Sequence, residues 1–145
     1  MEQPAIAILD SNWIMTIATI RSDAWPQATM VGYANQRLRL YFLISRTSQK
    51  FANIALNPRV AVTVAHEPTE PREIKAIYAG CEAHEVKEAA ERNLAWSLLT
   101  TRHPNLSEVA PPDEDDVALM TGDCLHLSVL DYSLAIGHRE TFSVA

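Results

Sequence analysis

The stretch LYFLISRTSQKFANIALNPRVAVTV, Leu40–Val64, decides how the chain is read. It opens in an apolar run, Tyr41–Ile44, and closes in a second one, Val60–Val64. Between them Ser45, Arg46, Thr47, Ser48 and Lys50 crowd around one turn. Thr47 or Ser48 can cap a helix over residues 48–56, because a hydroxyl there accepts from an unpaired N–H of the first turn. Phe51, Ile54 and Ala55 recur at helical spacing. Asn57-Pro58 stops the helix, since proline disfavours helical backbone in the residue before it. The segment therefore reads strand, capped helix, strand. Two cations and three hydroxyls at a helix start can serve a phosphate, which wants backbone donors, side-chain donors and positive charge together. A solvated capped turn with no ligand is the other reading.

Working outward, residues 5–11 predict a short opening helix, and 12–20 a strand rich in β-branched residues. Ser22, Asp23 and Pro26 make a turn into a second strand, 28–35, where Gly32 marks a bulge or a close approach. A third strand, 38–44, completes an antiparallel meander. The fourth, 59–65, is near-continuously apolar and predicts burial on both faces. The fifth, 74–86, is expected to kink at Gly80. Residues 87–102 form the main helix, with Arg102 and His103 at the end that favours cations. A long connection with an acidic, proline-stiffened stretch, 110–118, leads to a last strand, 124–136, and a short tail. The sum is a mainly β chain of about six strands with two or three helices. Such strands can close a small barrel, with a sandwich as the competing arrangement.

The chain of 145 residues suits one domain, 1–145. A net charge of -6 argues against a nucleic-acid surface, which needs clustered Lys and Arg. Cys81 and Cys124 belong to no zinc-spaced pair and read as reduced core residues, which suggests the cytoplasm. No leader is expected at the N-terminus, and no apolar run is long enough to span a bilayer. His66, His84, His103, His126 and His138 are scattered, so no metal site is expected; His138 is kept as a group that could approach a ligand cleft. The acidic run Glu114–Asp116 lacks the glycine and terminal glutamate of a calcium loop. Trp96 is explained by packing against the leucines around it, and no Ser-His-Asp or Cys-His set can be assembled, so no catalytic side chain is assigned.

The order of strand, Arg46-Thr47-Ser48-Gln49-Lys50 turn, Asn53, Asn57–Val62 and Gly80 strand resembles the pyridoxamine 5'-phosphate oxidase-like, FMN-binding split-barrel family. The likeness runs over almost the whole chain. It implies a six-stranded antiparallel split β-barrel with one main helix and one or two short ones, and a homodimer with FMN at the subunit interface. By position, Arg46, Thr47, Ser48 and Lys50 would hold the FMN phosphate. Thr29, Met30, Val31 and Gly32 would run beside the isoalloxazine ring, and Leu43 and Ile44 would lie on the ribityl side. Lys75 stands where the true oxidases tend to carry a flavin-touching glutamine.

The departures count equally. Ala28, Tyr33 and Gln49 replace an arginine, a lysine and an arginine of the true oxidases, and the C-terminal segment that grips the substrate phosphate has no counterpart. The expectation is therefore an FMN-dependent oxidoreductase of that family with another, unidentified small-molecule substrate. Two alternatives stand beside it: a non-catalytic flavin or haem binder of the stress-response kind, and a reductase using the deazaflavin F420.

Overall fold

The computed structural model describes residues 2–108 and 115–144, so residues 110–114 of the expected acidic loop lie outside the described residues. Its elements are α1 (Glu2–Asp10), β1 (Ile14–Ile20), β2 (Pro26–Gln36), β3 (Arg39–Ser45), α2 (Gln49–Leu56), β4 (Arg59–Ala65), β5 (Lys75–Glu85), α3 (Ala89–Arg102), β6 (Val117–Asp131) and β7 (Arg139–Ser143). Short 3-10 turns occupy Pro71–Glu73 and Pro104–Glu108.

All strand pairs are antiparallel, in the order β3-β2-β1-β4-β5-β6-β7, and a further pairing of β3 with β6 closes the first six strands into a barrel. Inward-facing Tyr33, Leu40, Phe42, Ile44, Val62, Ile77, Met120 and Leu127 fill it, with Ile6 and Leu9 of α1 joining the same cluster. Each such side chain contributes about 1.5–3 kcal/mol when removed from water. A second cluster lies outside the wall, where Ala95 and Leu99 of α3 pack on Ala34, Tyr41 and Leu119.

The barrel is split. β2 pairs with β1 along Pro26–Gly32 but with β3 only from Tyr33↔Phe42 to Gln36↔Arg39. β3 pairs with β6 on its other edge along its whole length, from Arg39↔Asp123 to Ser45↔Val117, so beyond Phe42 it keeps only that neighbour. β2 and β3 thus part at Gly32 and Leu43, and side chains of α2 reach β2 from beside the gap, Lys50 to Thr29 and Asn53 to Gln27. Its start follows the capping expectation: Ser48 Oγ accepts from the Phe51 N–H at 3.2 Å.

Three expectations need correction. The last strand begins at Val117, seven residues earlier than its apolar run suggests, because Val117–Asp123 pairs with β3 to close the barrel. It ends at Asp131, where a turn starts, and the expected tail forms β7 on its far side. Within the single chain β4 is not buried on both faces. It alternates, with Val60, Val62 and Val64 inside and Ala61, Thr63 and Ala65 exposed, because small side chains on a barrel's outer wall look apolar without being covered.

Gly80 does mark an irregularity: the β5–β6 register shifts between Gly80 and Cys81. The His126 ring lies across Gly80, in space that a side chain would need. Beside it Cys81 and Cys124 are cross-strand partners with sulfurs 3.4 Å apart. Hydrogen bonding between them, then burial, pushes the Cys81 thiol above its ordinary value.

Candidate functional site

The split creates a cleft on the outer wall, and its two ends differ chemically. Tyr33 N–H bonds the carbonyl of Trp13, on the β1 side. Backbone groups alternate along a strand, so the N–H and C=O of Met30 point to the other side, where β3 has left. Met30 is also 69% exposed, and Ala28 is exposed beside it.

At one end of this open edge stands the turn into α2. Lys50 Nζ donates to Thr29 Oγ1 at 3.2 Å, bringing the ammonium to β2. Ser45 and Thr47 share a hydroxyl hydrogen bond of 2.9 Å, and Ser48 Oγ donates to Ser45 O at 2.6 Å while capping Phe51. Among the expected site residues, Thr29, Thr47, Ser48 and Lys50 are therefore gathered around the start of α2. Arg46 faces elsewhere. Its Nη1 and Nη2 donate to the Glu85 carboxylate at 2.9 and 2.6 Å, and its guanidinium lies 5.5 Å from the centre of the Phe51 ring. The Arg46 hydrogen bonds hold the Glu85 carboxyl below the usual glutamate range. Ile44 is buried inside the barrel, whereas Leu43, one residue before it, faces the cleft.

At the other end lies an apolar cavity of about 580 Å³, lined among others by Trp13, Val31, Gly32, Leu43, Leu99 and His103. Leu43 and Ser45 sit on the same face of β3, one pleat apart, so the cavity and the α2 turn are neighbours about 7 Å apart. Its back wall is the end of α3. Arg102 Nη1 donates to Leu9 O, Asn12 O and Asn35 Oδ1 at 3.1, 3.3 and 2.6 Å, which fixes that end to the barrel mouth. Tyr33, a lysine in the true oxidases, is buried beneath this guanidinium and donates to Leu9 O at 2.7 Å. Burial keeps its phenol protonated well above the ordinary range.

His103 follows. Its backbone N–H closes α3 on Leu99 O, and its Nε2 lies 2.8 Å from Tyr33 O. A carbonyl oxygen only accepts, so Nε2 carries a proton and donates to it. The ring lies over Gly32, where an added Cβ would come within 2.9 Å of its Cε1. Trp13 meets it edge-on at 5.8 Å.

From sequence, Arg102 and His103 have only a place at a helix end, and none of Trp13, Arg102 and His103 is assigned to the cofactor site. The one available signal is Gly32, which reads as a bulge or a close approach; the approach, by His103, is what the structure shows. Lys75 is not brought to this cleft; it lines a separate cavity with His66 and Asp131. His138 lies on the β6–β7 side, bonded to Glu140, and Trp96 does not line the cavity beside Gly32. Among the described residues no group of His, Cys, Asp and Glu could hold a metal ion, and no helix is long and apolar enough to cross a membrane.

A split barrel with this cleft defines a fold class shared by several solved structures. A haem-binding protein from Mycobacterium smegmatis superposes with a TM-score of 0.84 at 16% identity, over 98% of this chain and 57% of that one. General Stress Protein 26 from Bacillus anthracis gives 0.73 at 18%, over 99% and 98%. An FAD-binding protein from Mesorhizobium loti gives 0.69 at 19%, over 89% and 94%. The chain thus spans little more than half the length of the mycobacterial protein. At these identities the likeness is one of fold. The pyridoxamine 5'-phosphate oxidase family model matches residues 1–123, and the chain belongs to that family. No curated protein sequence matches it.

Proposed function

We propose that the chain binds FMN in the cleft where β2 and β3 part and works as a flavin-dependent oxidoreductase. The observation that carries this is the join of two unlike ends: a helix start with an ammonium, and an apolar cavity beside an open strand edge. A planar heterocycle with a phosphorylated tail matches both. Lys50, the Ser45, Thr47 and Ser48 hydroxyls and the α2 N–H groups would hold the phosphate. Met30 offers backbone groups to the ring edge, and Val31, Gly32 and Leu43 offer it a water-poor wall. FMN, when bound, supplies the hydride chemistry, and the chain supplies placement and exclusion of water. His103 and Trp13 would line the space where an acceptor meets the ring.

F420 fits less well, because its longer anionic tail needs further cations. Arg37 pairs with Glu2, and Arg39 with Asp123 and Glu91, at the opposite end of β2 and β3. Haem is favoured by one observation, a histidine in the cavity whose Nε2–H is fixed on a carbonyl, as metal-binding imidazoles are. The outer wall exposes Trp13, Ile20, Met30 and Tyr78 as well as the small residues of β4, and we assign it to a second copy of the chain in a homodimer. The two reduced thiols favour the cytoplasm.

The test is an absorption spectrum of the purified protein after FMN addition and desalting. Retained flavin bands, with FMN released on denaturation, are expected. A colourless protein would sink the FMN assignment, and the same test with haemin or F420 decides between the alternatives. Steady-state turnover with NADH or NADPH separates an enzyme from a stress-response binder.

A further inference from the structure

We propose that Glu85 is a positioning residue of the phosphate turn and acts through Arg46, which clamps that turn to the barrel instead of touching the ligand; this rests on the FMN assignment above. Along β3 the side chains of Leu40, Phe42 and Ile44 point into the barrel, while Tyr41 and Leu43 pack outside. Continuing the alternation sends Arg46 inward, to the mouth beneath α2, and Ser45 outward to the cleft. Glu85 meets it there from the end of β5, following inward-facing Cys81 and Ala83 at the same spacing.

The two form a fork-to-fork pair with only 22% and 18% of their side chains exposed. Paired hydrogen bonds of this kind fix orientation as well as charge. Two further contacts make Arg46 a tether. Its backbone N–H bonds Asp116 O at 3.1 Å, holding the turn to the start of β6. Its guanidinium lies over Phe51, in the first turn of α2. The turn carrying Ser45, Thr47 and Ser48 is thus tied to β5, β6 and α2 through one residue. Lys87 and Arg92 also face Glu85 and add positive charge around it, so the pair does not supply a lone carboxylate that would repel a phosphate.

A ligand role and a clamp role for Arg46 make opposite predictions for Glu85. If Arg46 binds phosphate directly, Glu85→Gln releases the guanidinium and FMN binds as well or more tightly. If Arg46 is a clamp, Glu85→Gln and Arg46→Gln weaken FMN by similar factors, roughly tenfold each. The slope of affinity against salt then stays at the wild-type value in both, because no phosphate contact has been lost. The exchanged pair, Arg46→Glu with Glu85→Arg, should recover most of the affinity.

Hydrogen exchange on the cofactor-free protein gives an independent readout. Amides of residues 47–52 should exchange roughly tenfold faster in either single variant, with β4 and β5 unchanged. Tight FMN binding by Glu85→Gln, a shallower salt slope in Arg46→Gln, or unaltered exchange at 47–52 would each overturn the clamp. Arg46→Lys, which keeps the charge and loses the fork, carries the same test if a neutral variant fails to fold. Failure of the wild-type protein to retain FMN defeats the cofactor assignment and is seen separately from the exchange result.

Discussion

The two halves of the β2–β3 pair are built from the same strands and behave as opposites. From Tyr33↔Phe42 to Gln36↔Arg39 the backbones are paired, and Asn35 and Arg39 find partners within the chain. Asn35 bonds Asp10 and Arg37 O, and Arg39 bonds Asp123 and Glu91. From Gly32 back to Pro26 the same strand has lost its β3 neighbour, Met30 stands exposed, and hydroxyls and an ammonium gather at the rim. Cations alone therefore do not mark a binding region here. The candidate site lies where the β2–β3 ladder stops while β2 stays paired with β1. Buried backbone groups need partners, and a cleft with an open strand edge can give them to a ligand.

The largest test of this contrast is Gly32→Val. A Cβ there meets the His103 ring, so the ring must leave Tyr33 O and the back wall of the cavity shifts. We expect a loss of about 2–3 kcal/mol in chemical denaturation together with loss of retained FMN. Gln36→Val, at the exposed end of the paired half, should do little by either measure. Lys50→Ala comes next. It should weaken FMN roughly tenfold and flatten the salt dependence, read by fluorescence titration, with stability almost unaltered. An unchanged affinity would remove the phosphate from this turn.

Ser48→Ala removes the cap of α2 and should cost about 1 kcal/mol of stability, measured by thermal melting. The smallest effect sharpens the contrast through pH. Glu85 is held below its ordinary value by Arg46, so the unfolded chain takes up its proton first as pH falls. The stability from the pair is complete above the ordinary glutamate value of about 4.3 and disappears as pH drops through the lowered native value. Glu85→Gln should flatten that part of the acid-denaturation curve, and a curve identical to wild type would show the pair to be idle in solution.

The barrel was legible where local chemistry and global fold agree. Ser48 caps a helix, Asn57-Pro58 ends it, and β1 to β5 are bounded by turn residues where the strands stop. β6 was half hidden, because Val117–Asp123 follows an acidic connection and earns its strand only by pairing with β3 from far away. β4 misled in the opposite way, since alanine and threonine on an outer wall resemble core residues. Within the cleft, the start of α2 was visible because its groups are consecutive. The cavity was not, because Trp13, Gly32, Leu43 and His103 come from four elements or their ends and share no spacing. Arg46 shows the limit most clearly, as its side chain looks like its neighbours' in sequence and only strand alternation sends it to Glu85.

The closure of the barrel carries a further consequence for how the chain folds. β1, β2 and β3 can pair as soon as they are made, being joined by short turns. The last seam cannot, because Arg39 meets Asp123 across 84 residues, and contacts so distant in sequence form slowly. Until β6 arrives, β3 has an open outer edge with apolar Tyr41, Phe42 and Leu43 along it. The nascent meander is thus the stage most prone to stick to a neighbour, and the arrival of Val117–Asp123 both finishes the barrel and ends that exposure.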